Sequence, residues 1–213
     1  MKLIVEKLTV ARGSRVVISD LSLTVAEGEA LLLTGANGAG KTTLIRAMAG
    51  LIAPLAGQIL LEGGNADLDL PQQCHYAAHS NALKASLTVE ENLRFWGGFL
   101  NPGEMSGEDQ SKVLDTALEQ LKLAPLAGVP AAYLSAGQKR RAGLGRILMA
   151  KRSVWLLDEP TVSLDAASAA ALAHLVNAHT AGGGIAVIAT HLPMDLTAPR
   201  TLHLRPLALS EAA

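Results

Sequence analysis

The chain has 213 residues, with 18 Lys and Arg against 19 Asp and Glu. The net charge of −1 leaves no electrostatic footprint for nucleic acid. Apolar residues make up 49% and aromatic residues only 3%, so the core must be Leu, Ala, Val and Ile, the mix that fills parallel strands covered on both faces.

The single cysteine, Cys74, excludes an internal disulfide framework and fits a reducing compartment. No apolar run reaches the roughly 18 residues that cross a bilayer. Glu6 interrupts the first apolar stretch where a signal peptide needs continuity.

In chain order, "LIVEKLTVARGSRVVISDLSLTV" consists of short β-branched runs broken at "RGS" and predicts antiparallel strands joined by a hairpin. "EGEALLLTGANGAGKTTLIRAMAGL" predicts a buried strand, a glycine loop and an amphipathic helix that Pro54 and Gly57 end. "GQILLEGG" is another short strand. Thr88 is a candidate N-cap for a helix starting "TVEENLRFW", with acids in its first turn. "NPGEMSGED" reads as a loop and "QSKVLDTALEQLKL" as a second amphipathic helix. After a polar turn "LSAGQ" come a helix over 139–150, a buried strand "SVWLLDEP", an alanine-rich helix over 166–180, a strand "GIAVIATH" and a last short strand in "RTLHLRPL". These elements predict one α/β domain over 1–213, with a helical insertion at about 81–134.

"GANGAGKT" after the strand "ALLLT" matches G-x-x-x-x-G-K-[ST] in the order strand, loop, helix. Gly35, Gly38 and Gly40, with Ala36, Asn37 and Ala39 between them, let backbone N–H groups curl around phosphate oxygens. Lys41 supplies a point charge for the β- and γ-phosphates, Thr42 a hydroxyl for Mg²⁺, and Thr43 a further phosphate contact. "VWLLDEP" ends a buried strand in two carboxylates, where charge is costly unless it meets a cation. Asp158 fits a Mg²⁺ partner acting through water, and Glu159 a base that polarises an attacking water. His191 ends another strand, and parallel strands of such sheets converge at their carboxyl ends, so a γ-phosphate contact is expected. His174, His179 and His203 read as surface or packing residues. "LSAGQKRR" looks like a second phosphate grip: a hydroxyl at Ser135, small residues at Ala136 and Gly137, an amide at Gln138 and three cations after them.

The ordered set "GANGAGKT", "LSAGQ", "LLDEP", "SLD" and "TH" resembles the nucleotide-binding subunit of an ATP-binding cassette (ABC) transporter over essentially the whole chain. The resemblance implies a P-loop NTPase cassette with a RecA-like parallel-sheet core, an N-terminal antiparallel β subdomain and a short α-helical subdomain. It implies ATP and Mg²⁺ as ligands, with no other metal, and a head-to-tail pair of copies. In that pair Ser135, Ala136, Gly137 and Gln138 act on the partner copy's nucleotide, and Asp165 of "SLD" lies at the same seam. The softer signals, a histidine (His79) in the lid, "LTVEENLRFW", "LSAGQKRR", a short helical insertion and a bare ending after "THLPMDL", narrow the resemblance to the ATP-binding subunits of bacterial haem export in c-type cytochrome biogenesis. The implied partners are membrane permease subunits (B, C and D of that system), and the implied location is the cytoplasmic face of the inner membrane. The ATPase of another exporter, for drugs, lipids or polysaccharide, fits the compact size too.

Two positions depart from the family pattern. Arg12 stands where many cassettes carry a base-stacking aromatic ring; it either stacks its guanidinium plane on the base or is a solvated turn arginine. His79, followed by Ser80, stands where the family has a lid glutamine, which puts metal coordination from this loop in doubt but leaves a coupling role to the membrane subunit.

Overall fold

A computed structural model of the chain describes residues 1–102 and 107–207; the expected loop "NPGEMSGED" falls partly outside the described residues, at 103–106. Contacts divide the chain into two units, one of Met1–Tyr76, Arg152–Glu159 and Val176–Ala213, the other of Ala77–Lys151 and Pro160–Leu175.

The first unit holds two sheets. β1 (Lys2–Arg12) and β2 (Arg15–Ala26) form the expected hairpin, with Arg12 paired to Arg15 and Gly13 in the left-handed region that such a tight turn requires. β4 (Ala56–Glu62) pairs with the other edge of β1, giving the order β2-β1-β4. The second sheet runs β5-β6-β7-β3-β8. Its members are β3 (Ala30–Thr34), β5 (Cys74–Ala77), β6 (Val154–Asp158), β7 (Ile185–Ala189) and β8 (Arg200–His203). β3 pairs in parallel with both β7 and β8, and β6 in parallel with β7. Every residue of β6 and β7 is buried, as an uninterrupted apolar strand predicts. Leu31, Leu33, Leu44, Ile45, Met48, Leu156 and Val187 fill one core with Leu3, Val5 and Leu8 of the antiparallel sheet. The sequence reading has no strand at β5.

α1 (Lys41–Met48) ends well before Pro54 and Gly57, contrary to expectation. Gly50 adopts a φ of 72°, and a Cβ there would stand 2.5 Å from Pro71. That left-handed glycine just past the last turn stops the helix first.

The second unit is helical. α2 (Val89–Leu100) starts at the expected N-cap: Thr88 Oγ1 accepts from Glu91 N at 3.1 Å, and Glu91 Oε2 accepts from Thr88 N at 2.8 Å. α3 (Gly107–Gln120) follows, and Leu93, Leu114, Leu118, Leu121 and Leu123 make this unit's core. α4 (Ala136–Leu144) departs from the expected helix over 139–150 at both ends. It begins earlier because Ser135 is its N-cap, so the "SAGQ" stretch is the cap and first turn of the helix and not a turn before it. It ends earlier because Gly145–Ile147 tightens to a 3₁₀ turn, where a Cβ on Gly145 would press to 2.6 Å from Leu93. α5 (Ala166–Ala181) begins in this unit and ends, from Val176, in the first. No helix among the described residues is long and apolar enough to cross a membrane.

Candidate nucleotide-binding site

Between β3 and α1 the chain must reverse closely against its own sheet. Gly35 (φ 132°), Gly38 (φ 83°) and Gly40 (φ 99°) all take left-handed conformations. A Cβ on Gly35 would stand 2.2 Å from the carbonyl oxygen of Leu204, so only glycine fits there. The loop is closed by Lys41, nine-tenths buried, whose Nζ donates to the carbonyls of Gly35 (2.8 Å) and Ala36 (3.2 Å). The lysine charge is thereby held inside the loop, beside the N-terminus of α1, where anions are favoured.

Asp158 closes β6 and is buried to 4% exposure. Its Oδ1 accepts from Thr42 Oγ1 at 3.0 Å. A hydroxyl and a buried carboxylate side by side fit a small, hard cation that takes its other oxygens from phosphate and water. Among the described residues no cluster of three or more His, Cys, Asp or Glu could cage a metal without such help.

Glu159 follows in a left-handed conformation (φ 48°), unusual for a glutamate. Its N–H donates to Ala189 O at 2.8 Å, which fixes the turn on β7. Backbone strain held by its surroundings is a common feature of functional positions. Glu159 Oε2 lies 2.9 Å from His191 Nδ1. The glutamate side chain is 19% exposed and the histidine 59%, so the pair opens to solvent. His191 thus meets Glu159 directly.

A cleft of about 360 Å³ joins these groups: Asn37, Gly38, Gly40, Lys41, Thr42, Thr43 and Glu159 line it, together with Arg12, Arg15 and Val17 of the hairpin. Arg15 and Val17 escaped the sequence reading; the Arg12–Arg15 pairing across the hairpin was the signal that could have found Arg15. Among the described residues that line it there is no aromatic ring.

The second unit carries the other predicted residues. Ser135 Oγ accepts from Gln138 N (3.3 Å), and Gln138 Oε1 accepts from Ser135 N (2.8 Å), a reciprocal cap that leaves Ser135 and Ala136 exposed. A Cβ on Gly137 would come 3.0 Å from Ser163 O. The three cations are not presented as a grip. Lys139 donates to Ala132 O, Arg140 to carbonyls of other segments, and Arg141 to the carbonyls of Leu121 and Lys122 behind α3. Asp165 caps α5 through Ser168 N (2.7 Å), and hydrogen bonds from the Ser168 hydroxyl and N–H lower its pKa below the ordinary carboxylate value. His79 and Ser80 are exposed. His179 packs, as expected: its ring stacks on Trp155 at 4.1 Å, and burial lowers its pKa.

The ABC transporter family model matches residues 18–162. The cytochrome c biogenesis ATP-binding export protein of Nitrobacter winogradskyi is 50% identical over 93% of this chain and 96% of its own length. That of Rhodopseudomonas palustris is 48% identical over 90% and 92%, and that of Rhodobacter capsulatus 47% over 96% and 87%. This chain belongs to the ABC transporter family, among its cytochrome c biogenesis ATP-binding export proteins. Solved ABC cassettes share the fold. The ATP-binding subunit of an ABC transporter superposes with a TM-score of 0.79 at 26% identity, covering 90% of this chain and 80% of that one. The cassette MJ0796, a dimer bound to ADP and Pi after hydrolysis, gives 0.77 at 25%, covering 89% and 88%. The cassette described above is thus an ATP-binding, ATP-hydrolysing subunit coupled to transport.

Proposed function

We propose that the cassette drives a haem export system of c-type cytochrome biogenesis, its ATP cycle serving release of haem held by a periplasmic chaperone. The observation that carries the site assignment is the closed loop of Lys41 next to the Thr42–Asp158 pair, in a chain so similar to named biogenesis proteins.

The nucleotide's phosphates lie on the Gly35–Thr43 loop, which supplies N–H donors and the Lys41 charge. Mg²⁺, held by Thr42 and through water by Asp158, would neutralise charge building on the phosphate oxygens. Glu159 orients a water and takes its proton; His191, bonded to the same carboxylate, holds it in place and borders the γ-phosphate. Arg12 stacks on the base. Two copies of the chain, each a single domain over 1–213 with its helical part near 81–134, pair head to tail. Ser135, Ala136, Gly137 and Gln138 then face the partner copy's γ-phosphate with the positive end of α4, and Asp165 borders the partner's water. His79 and Ser80 pass the closure to permease subunits B, C and D, which hold the cassette at the cytoplasmic face of the inner membrane.

The test is complementation. In a bacterium lacking its own copy, the wild-type chain restores haem-stained c-type cytochromes and Lys41→Ala does not, although it accumulates normally. Cytochromes at wild-type level with Lys41→Ala, or none with the wild-type chain beside its cognate membrane subunits, would overturn the proposal.

A further inference from the structure

Arg140 belongs to none of the phosphate-binding or water-activating groups, yet it is buried to 4% exposure on the helix whose start carries Ser135. Its guanidinium gathers separate pieces of backbone. Nε donates to Pro160 O at 3.1 Å. Nη1 donates to Ala78 O (2.8 Å), His79 O (3.1 Å) and Asn81 Oδ1 (3.3 Å). The lid segment containing His79 and the residue directly after Glu159 are therefore tied to one side chain of α4.

Two further observations concern the same lid. Gly143 lies three residues after Arg140, on the same face of α4. A Cβ there would stand 2.5 Å from Asn81 O and 2.8 Å from Asn81 Cα, so the lid backbone rests directly on the helix. The far end of the lid is held by α2. Asn92 Oδ1 accepts from Lys84 N at 2.8 Å, its Nδ2 donates to Lys84 O at 3.1 Å, and Trp96 Nε1 donates to Ala82 O at 3.1 Å. Residues 78–84 thus lie bonded to helices along their length rather than hanging as a free flap.

We propose that Arg140 is a positioning residue that makes the lid and the helix bearing Ser135–Gln138 one moving piece, so that a displacement of His79 reaches the signature residues and the turn after Glu159 together. A planar guanidinium spreads its donors over separate nitrogens in a fixed fork, whereas a lysine gathers its three donors on one nitrogen at the end of a flexible stem and does not hold such a spread of acceptors in place. The inference rests on the ATPase reading above, so the experiment includes a control for that reading.

Full-length wild type, Arg140→Lys, Gly143→Ala, their double variant and Lys41→Ala are compared. The readouts are phosphate release, affinity for a fluorescent ATP analogue, thermal melting and hydrogen exchange of the 78–84 amides. Arg140→Lys should bind nucleotide as wild type does, lose at least about tenfold in kcat with KM unchanged, and exchange its lid amides faster. Gly143→Ala breaks the same joint from the other side, so the double variant should be no slower than the worse single one. In wild type, nucleotide should change exchange in 78–84 and at the start of α4 together. A folded Arg140→Lys with normal kcat, losses that multiply, or lid and helix amides responding to nucleotide independently would overturn the proposal. The last measurement needs no variant to fold. If Lys41→Ala hydrolyses ATP as wild type does, the ATPase reading itself fails; if only the Arg140 and Gly143 results fail, that reading stands and the clamp does not.

Discussion

Replacing Glu159 by Gln keeps its size and left-handed backbone but removes its ability to take a proton. A positioned general base contributes about 10²–10⁴-fold, equivalent to about 2.7–5.5 kcal/mol of barrier. The structure sets a second, smaller figure for its neighbour. His191→Ala removes one 2.9 Å contact to the carboxylate. Hydrogen bonds to charged groups are worth about 1.5–3 kcal/mol. With the histidine side chain 59% exposed, solvent screening puts this bond at the low end, so a loss of about tenfold in kcat is expected. The order of effects is therefore Glu159→Gln far below His191→Ala, with ATP binding preserved in both because the Gly35–Thr43 loop is untouched. The double variant separates two roles of His191. If it only holds the base, the double hydrolyses as slowly as Glu159→Gln alone; any further loss measures a direct contribution at the γ-phosphate. Single-turnover phosphate release and equilibrium binding of a fluorescent ATP analogue give both quantities. Near-normal turnover by Glu159→Gln, or a larger loss from His191→Ala than from Glu159→Gln, would refute the assignment.

Ser135→Arg should abolish ATP-driven pairing, read by light scattering in the Glu159→Gln background, while a single subunit still binds ATP; equal loss of binding to that of Lys41→Ala would show that the signature acts within its own chain. Because burial lowers the His179 pKa, the unfolded chain binds the proton more readily, and stability contributed by the neutral ring should fall as pH drops below about 6.5. His179→Phe keeps the stack on Trp155 and should flatten that acid limb in urea melts at pH 5 to 7. Cys74, its thiol pushed up to about 12 by burial, should resist iodoacetamide at pH 8 until the protein is unfolded. Phe95 (56% exposed) and Phe99 (66% exposed) stack on each other beside Trp96, while Leu93 anchors the helix inside. Polar replacement of both should leave folding and ATP binding intact and weaken co-purification with the permease, and unchanged co-purification would place docking elsewhere.

The parts of this protein that were legible in the sequence are those whose geometry is local. A phosphate loop needs left-handed glycines at fixed offsets, and Gly35, Gly38 and Gly40 supply them within six residues. The Thr88–Glu91 cap is likewise a four-residue statement. The same logic was available for Ser135 and Gln138, whose spacing is that of a capping box, but reading "SAGQ" as a turn displaced the start of α4 by three residues. What stayed hidden depends on partners distant in the chain. Nothing near Arg140 announces that its acceptors lie 59 to 62 residues back and 20 residues ahead, so a run of three cations looked like a surface for phosphate when each is bonded to backbone carbonyls. Arg15 is different: its place in the cleft follows from the local register of the hairpin, which puts it opposite Arg12 and which the break at "RGS" could have given. Two arginines directly across a strand pair repel one another. That arrangement is tolerable at the mouth of a site that receives a polyanion, so the occupant of the cleft explains a pairing that the bare hairpin would not favour.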